Sequence, residues 1–86
     1  MSKFKVGNRI RYIKKYTGMP RYGAGGTVIY IEEDGTVGVI FDESFGKGWD
    51  LDGRSEIGHG REFSMKYIEE DHITCIESAY NWIKMK

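Results

Sequence analysis

The sequence predicts one small, mainly β domain, folded as a closed barrel or sandwich of about five short antiparallel strands. Three observations indicate this class. Eighty-six residues leave room for a single core. Twelve glycines against one proline are typical of tight turns rather than long helices. Short apolar runs with strand periodicity recur between turn signals, and closing such a sheet would remove its exposed edges.

Strand signals follow one another along the chain, separated by turn residues. The predicted strands are 9–16, 27–33, 36–42, 61–64 and 73–76. In the first, Ile10, Tyr12 and Tyr16 share one face and charged residues the other, the pattern of a half-buried strand. The second is rich in β-branched residues, and Asp34-Gly35 after it is a strong hairpin signal. We therefore expect a two-residue Asp-Gly link between the second and third strands.

Glycines interrupt the chain twice, over 17–26 and over 43–60. The second segment is too long for a plain connector, and loops of that length usually carry function or turns of their own. Met65–Ile68 predicts a single helical turn before the last strand. Apolar residues near helical spacing predict a C-terminal helix over about 76–85, although strand character running past Ile76 is the alternative.

Composition and charge exclude several classes of protein. Thirteen basic and thirteen acidic side chains cancel, which disfavours a uniformly basic nucleic-acid binder. A single cysteine, Cys75, rules out an internal disulfide framework and suits a reducing compartment, so a cytoplasmic location is expected. No apolar run approaches the roughly 18 residues of a membrane span, and no signal-peptide pattern precedes the first strand, so we expect no membrane contact.

The cancelling charges are separated along the chain. Residues 1–26 hold seven basic side chains and no acidic one, whereas residues 27–71 hold twelve acidic side chains against four basic ones. One interpretation is that basic and acidic strands pair within the barrel. The other is a two-faced surface that orients a charged partner.

Three segments carry a family resemblance. Val6–Ile10, Gly25–Val28 and Gly38–Glu43 are similar to the V-G-D-R-V, G-x-x-G-T-V and G-V-x-F-D strands of SH3-like barrels. The pattern resembles the CAP-Gly domain, in which the third strand leads into a G-K-N-D-G loop. Here that loop reads Gly46–Gly53, with Gly48 at the asparagine position.

The chain also resembles mind-bomb-type SH3-like domains and the small SH3-like proteins of bacteria and their phages. The resemblance covers about residues 5–69, and the barrel itself is expected to extend over about 5–76. It implies a non-enzymatic protein-binding module. For the phage type it also implies an inhibitor that binds a host or defence protein.

The partner is expected to bind side chains of the two glycine-rich loops. SH3-like domains bind through aromatic residues exposed between such loops, and tyrosine and tryptophan are frequent hot spots. The candidate contacts are Tyr22, Phe45, Lys47, Trp49, Asp50 and Asp52. Phe63 is expected in the core, and Phe45 fits either the core or the binding surface.

The alternative function is nucleic-acid binding by the basic first strand. Four cations would track the phosphates while neighbouring tyrosines stack on bases. These cations are Arg9, Arg11, Lys14 and Lys15. The acidic remainder of the chain opposes this alternative, because it would repel the same polyanion.

No catalytic site, metal or cofactor is predicted. Asp50 and Asp52 lack the further ligands of an EF-hand, and a single cysteine with two histidines lacks the paired spacing of a zinc site. Cys75 is expected to be a small buried apolar residue. The helix over 76–85 is expected to pack on the barrel, with a homodimer seam as the alternative.

Overall fold

The computed structural model describes residues 4–76. They form five strands and one short helix: β1 Arg9–Tyr12, β2 Gly25–Ile31, β3 Val37–Phe41, β4 Gly60–Phe63, α1 Met65–Glu69 and β5 Ile73–Cys75. The strands form one antiparallel sheet in the order β4-β3-β2-β1-β5. This confirms the mainly β fold of five short strands. The C-terminal helix predicted over 76–85, with its possible homodimer seam, lies outside the described residues.

Strand β2 joins the two halves of the sheet. Gly26 pairs with Ile10 of β1 and with Phe41 of β3, whereas the later residues of β2 pair with β3. The register shifts between Val28 and Tyr30, and such an irregularity bends a strand and increases its twist. The sheet therefore curls around its inward side chains.

The core consists of apolar side chains from all five strands. In β1, Ile10 and Tyr12 are fully buried and the two arginines between and before them are exposed, as the alternating pattern predicts. The rings of Tyr12, Phe41 and Phe63 pack together with centroids 6.1–6.2 Å apart. The prediction that Phe63 belongs to the core is confirmed.

The hairpin between β2 and β3 forms, but its link is longer than the predicted Asp-Gly pair. The Gly35 amide donates to the Glu32 carbonyl at 2.9 Å, and the Glu32 amide donates to the Thr36 carbonyl at 2.8 Å. The turn is therefore centred on Glu33 and Asp34. Gly35 follows with φ of 91°, and a left-handed glycine after such a turn matches the twist of the flanking strands.

Strand β1 ends at Tyr12 and not at Tyr16 as predicted. The chain leaves the sheet after two last main-chain bonds, in which the Tyr12 carbonyl accepts from the Gly23 amide at 2.6 Å and the Ile13 amide donates to the His72 carbonyl at 3.0 Å. The prediction that Tyr16 shares the core face is wrong. Its side chain is 54% exposed.

Candidate functional site

The glycine-rich segment 43–60 folds into a compact loop held by its own hydrogen bonds. The Phe45 amide donates to the Gly58 carbonyl at 2.9 Å, and Trp49 and Gly60 exchange two backbone hydrogen bonds of 2.7 and 2.6 Å. Leu51 is fully buried and packs so closely on Gly60 that a Cβ there would lie 2.5 Å from Leu51 Cγ. The loop thus contains turns of its own. Leu51 anchors the loop, and in the sequence it stands out as an apolar residue between Asp50 and Asp52.

The two glycine-rich loops contact each other through Lys47. Its amide donates to the Gly18 carbonyl at 2.6 Å, and its aliphatic stem lies directly over Gly18. A second link joins Arg21 and Glu43, whose side chains approach to 2.6 Å. The tertiary structure therefore brings together the two segments in which the sequence predicts partner contacts.

The aromatic members of the predicted site differ in exposure. Tyr22 is 57% exposed and lies under the Lys15 ammonium, which is 5.6 Å from the ring centroid. Trp49 is 43% exposed. Phe45 is half-buried and packs edge-to-face on Phe41 at 5.4 Å, so most of its ring extends the core. Tyr22 and Trp49 are therefore the two of these rings that a partner could reach easily.

The aspartates of the predicted site shape the loop. The Asp50 carboxylate accepts a hydrogen bond from the Asp52 amide at 3.2 Å, and the Ser55 amide donates to the Asp50 carbonyl at 3.0 Å. Asp52 has a left-handed φ of 57°, which aspartate tolerates better than most residues. These contacts hold a turn, and the exposed carboxylate of Asp52 stays accessible.

A cleft of about 310 Å³ lies where the segment after β1 meets β4 and the turn from α1 to β5. Tyr16 stacks on the His72 ring at 5.5 Å and 26°, and Tyr67 packs on the same imidazole at 5.0 Å. His72 is buried, whereas Tyr16 and Tyr67 are 54% and 38% exposed. The cleft therefore presents two tyrosine faces held by a buried ring. No local pattern in the sequence predicts that Tyr67 and His72 meet here.

Three cations line the same cleft: Lys47, Arg61 and Lys66. Within residues 4–76, none of the three forms an ion pair. The two acidic residues of the lining are engaged, since the Glu62 carboxylate accepts from the Tyr30 hydroxyl and Glu70 lies 3.3 Å from His72 Nε2. The cleft therefore has a surplus of available positive charge. Among the residues predicted to contact a partner, Lys47 lines this cleft.

Tyr12 lies on the inner wall of the cleft. Its side chain is fully buried, and within the described residues its hydroxyl has no hydrogen-bond partner. Burial raises the pKa of Tyr12, and the nearby charge of Arg61 opposes that rise. The hydroxyl therefore stays protonated, with the Arg61 guanidinium close enough to act on it electrostatically.

The basic first strand makes contacts within the barrel. Arg9 forms two hydrogen bonds to the Asp42 carboxylate, of 3.0 and 2.6 Å, and a third to the Thr27 hydroxyl at 2.9 Å. This is the pairing of basic and acidic strands that the charge separation allowed. Arg11 is exposed on the same face of β1. Arg9, one of the four cations predicted to contact nucleic-acid phosphates, is therefore already paired with the Asp42 carboxylate.

We expect Asp42→Asn to lower the free energy of unfolding by less than about 1 kcal/mol at neutral pH, because the pair with Arg9 is exposed to solvent. The hydrogen bond from Arg9 holds the pKa of Asp42 below its usual value. The stabilisation is therefore present above the ordinary carboxyl pKa of about 3.9 and is lost as the pH falls through the lowered pKa. Urea denaturation of both proteins across this range should give stabilities that converge in acid. A difference that persists unchanged at low pH would contradict the assignment.

Other kinds of site find no support in the described chain. Between residues 4 and 76, no three histidine, cysteine, aspartate or glutamate side chains are grouped so that they could hold a metal ion. The same stretch contains no helix of the length and apolar character that a membrane crossing needs. Cys75 is a free thiol, half-buried against the core rather than fully buried as expected.

Five short antiparallel strands, with β5 returning to β1 and a cleft between the loops, define an SH3-like small barrel. Domains of this class are typically non-catalytic binding folds. The sequence pattern of the Xrn1 SH3-like domain matches residues 2–65, and the chain belongs to this SH3-like family. Searches of curated proteins and of solved structures found no match.

Proposed function

We propose that this protein is a non-enzymatic protein-binding module whose cleft binds an extended segment of a partner protein. The observation that carries the proposal is the pair of half-exposed tyrosines, Tyr16 and Tyr67, packed on the buried His72 beside unpaired cations. Tyrosine and arginine dominate the energetics of protein interfaces. Rings that are already held by packing also lose little conformational freedom when a partner binds.

The glycine-rich loops form a proposed second part of the interface. Lys47 belongs to both surfaces, because its amide is bound to Gly18 and its side chain lines the cleft. Tyr22 and Trp49 supply exposed aromatic area, and Asp52 supplies an exposed carboxylate. Phe45 and Asp50 act mainly by holding the loop in shape. A partner that extends beyond the cleft would reach these loops.

Tyr16 and Tyr22 are similarly exposed, but Tyr16 lines the cleft and Tyr22 does not. We therefore expect the loss of the Tyr16 ring to weaken binding more than the loss of the Tyr22 ring. Peptides of about 12 residues, selected from a random linear library on the immobilised protein, serve as probes. We expect Tyr16→Ala to weaken their binding about tenfold or more, as for a hot-spot residue. Tyr22→Ala removes a similarly exposed ring outside the cleft, in the proposed second part of the interface, and should weaken binding less, by about threefold at most. Isothermal titration calorimetry measures both.

The opposite results point to other sites. If Tyr22→Ala or Trp49→Ala abolishes binding and Tyr16→Ala does not, the glycine-rich loops are the main contact surface. If the library yields no binders and short DNA or RNA binds with strong salt dependence, the protein is a nucleic-acid-binding barrel instead. Arg11→Ala and Lys14→Ala would then weaken binding. Arg9 would contribute little, because Asp42 already holds it.

The role of the binding is a finer proposal. The resemblance to small phage proteins supports an inhibitor that blocks a host or defence protein in the cytoplasm. Affinity purification from a bacterial lysate with wild type and with Tyr16→Ala would identify a partner that depends on the cleft. Inhibition of that partner's activity by wild type, and not by Tyr16→Ala, is the expected result. Binding without any effect on activity would exclude the inhibitor role.

A further inference from the structure

The hydroxyl of Tyr12 is an unusual group in this fold. Within residues 4–76 it is the one fully buried side-chain oxygen or nitrogen without a hydrogen-bond partner. Burial of an unpaired hydroxyl is destabilising, and such groups in native proteins call for an explanation. Tyr12 lines the cleft, although its oxygen has almost no accessible surface, so a bound group reaches it only if the side chains that cover it shift. The hydroxyl is therefore an unused donor in the wall of the cleft.

The groups beside Tyr12 are also donors. Arg61 lies two residues before Phe63 on β4 and lines the same cleft; its guanidinium makes one described hydrogen bond, to the Lys47 carbonyl at the long distance of 3.4 Å. Most of its five N–H groups are therefore free to donate. The ammonium groups of Lys47 and Lys66 add charge of the same sign. The cleft thus offers several donors, and its two acidic side chains, Glu62 and Glu70, already have partners in Tyr30 and His72.

We propose that the cleft binds a carboxylate side chain of an acidic protein segment, with the Tyr12 hydroxyl and the Arg61 guanidinium as its donors. An ionised carboxylate only accepts hydrogen bonds and matches the planar guanidinium with both oxygens. The faces of Tyr16 and Tyr67 cover the apolar neighbours of the acidic residue. This inference rests on the proposed binding function and adds the chemistry of the bound segment.

The surroundings of the cleft favour a protein carboxylate over a nucleic-acid backbone. Glu69, Glu70 and Asp71 follow one another at the end of α1, beside the cleft, and all three are exposed. A polyanion that continued past the cleft would meet this acidic edge. A single aspartate or glutamate, flanked by apolar residues, occupies the donors and avoids the repulsion.

The sharpest test removes one oxygen atom. We expect Tyr12→Phe to weaken binding of the library-selected peptides about tenfold, equivalent to about 1.4 kcal/mol. Its melting temperature should equal or exceed that of wild type, because the deleted hydroxyl has no partner in the fold. Thr27→Val is the matched control, because it also removes one hydroxyl. The Thr27 hydroxyl accepts from Arg9 and lies outside the cleft, so its loss should leave peptide affinity unchanged.

The charge is tested in the same way. Arg61→Gln should weaken binding about tenfold or more, whereas Arg11→Gln removes an equal charge on the outer face of β1 and should have no effect. The selected peptides should be enriched in aspartate or glutamate at one position. Changing that residue to its amide should weaken binding to wild type more than binding to Tyr12→Phe, because that variant keeps only the Arg61 contact.

Each other outcome overturns the inference in a distinct way. Neutral peptides that bind Tyr12→Phe as well as wild type would exclude a carboxylate site, and the binding module would stand if Tyr16→Ala still loses them. A large fall in the melting temperature of Tyr12→Phe would show that the hydroxyl has a structural role. A library that yields no binders removes the carboxylate site together with the proposed function. Oligonucleotide binding that depends on Arg61 would assign the cleft to phosphates.

Discussion

Phe41→Ala is expected to lower the free energy of unfolding by about 3–5 kcal/mol, the usual cost of truncating a buried phenylalanine to alanine. Phe41 is fully buried and touches three other rings, with centroids 5.4 Å from Phe45, 6.1 Å from Phe63 and 6.2 Å from Tyr12. Small domains have stabilities of about 5–15 kcal/mol, so this loss would unfold a substantial share of the molecules near 37 °C. Urea denaturation followed by far-ultraviolet circular dichroism measures the change.

Phe41→Leu is the matched control for this prediction. Leucine keeps an apolar side chain and most of the packing, so its cost should be clearly smaller than that of alanine. If both variants lose equally little, less than about 1 kcal/mol, then the ring is not central to the core. The loop at Phe45 would then have to carry more of the stability than its half-buried position indicates.

Gly48→Ala is expected to cost about 3 kcal/mol, at the upper end of the range for overpacking. A Cβ on Gly48 would lie 1.9 Å from the carbonyl oxygen of Gly58, and a backbone atom cannot move aside as a flexible side chain can. The Phe45–Gly58 hydrogen bond across the loop would have to break. Thermal unfolding together with the amide chemical shifts of residues 43–60 would detect both effects.

Gly46→Ala separates the clash from other effects of adding a methyl group. Gly46 lies in the same loop and, like Gly48, has no left-handed φ, but its nearest atom would be the Gly18 Cα at 3.3 Å. We expect it to cost less than about 1 kcal/mol. Equal losses in the two variants would show that the close approach of Gly48 to Gly58 is not what holds the loop.

The close approach of Gly48 to Gly58 also accounts for a departure seen in the sequence. The CAP-Gly loop has asparagine where this chain has Gly48, and the Gly58 carbonyl leaves no room for any side chain there. Leu51, inside the segment inserted before Asp52-Gly53, anchors the loop on Gly60 instead. The loop of this protein is therefore held by the approach of Gly48 to Gly58 and of Leu51 to Gly60.

Local sequence patterns were sufficient to predict the strands. Alternation in β1, the β-branched run of β2 and the turn signal at Asp34-Gly35 depend on residues that are neighbours in the chain, and all three elements form. The predictions were wrong at the ends of strands, and the largest difference is at the end of β1. β1 ends at Tyr12, and the last bonds of this segment, from Tyr12 to Gly23 and from Ile13 to His72, join residues that are distant in sequence.

By itself, the sequence determined that this protein is a small, mainly β barrel with charged residues separated along its length, because period and turn chemistry act over a few residues. Which residues line the cleft depends on the tertiary structure alone. Tyr12, Arg61 and His72 are far apart in the chain, and they meet because β5 pairs with β1 while β4 closes the opposite side. Which donors then lack a partner depends on distances across the barrel, and no local pattern encodes those distances.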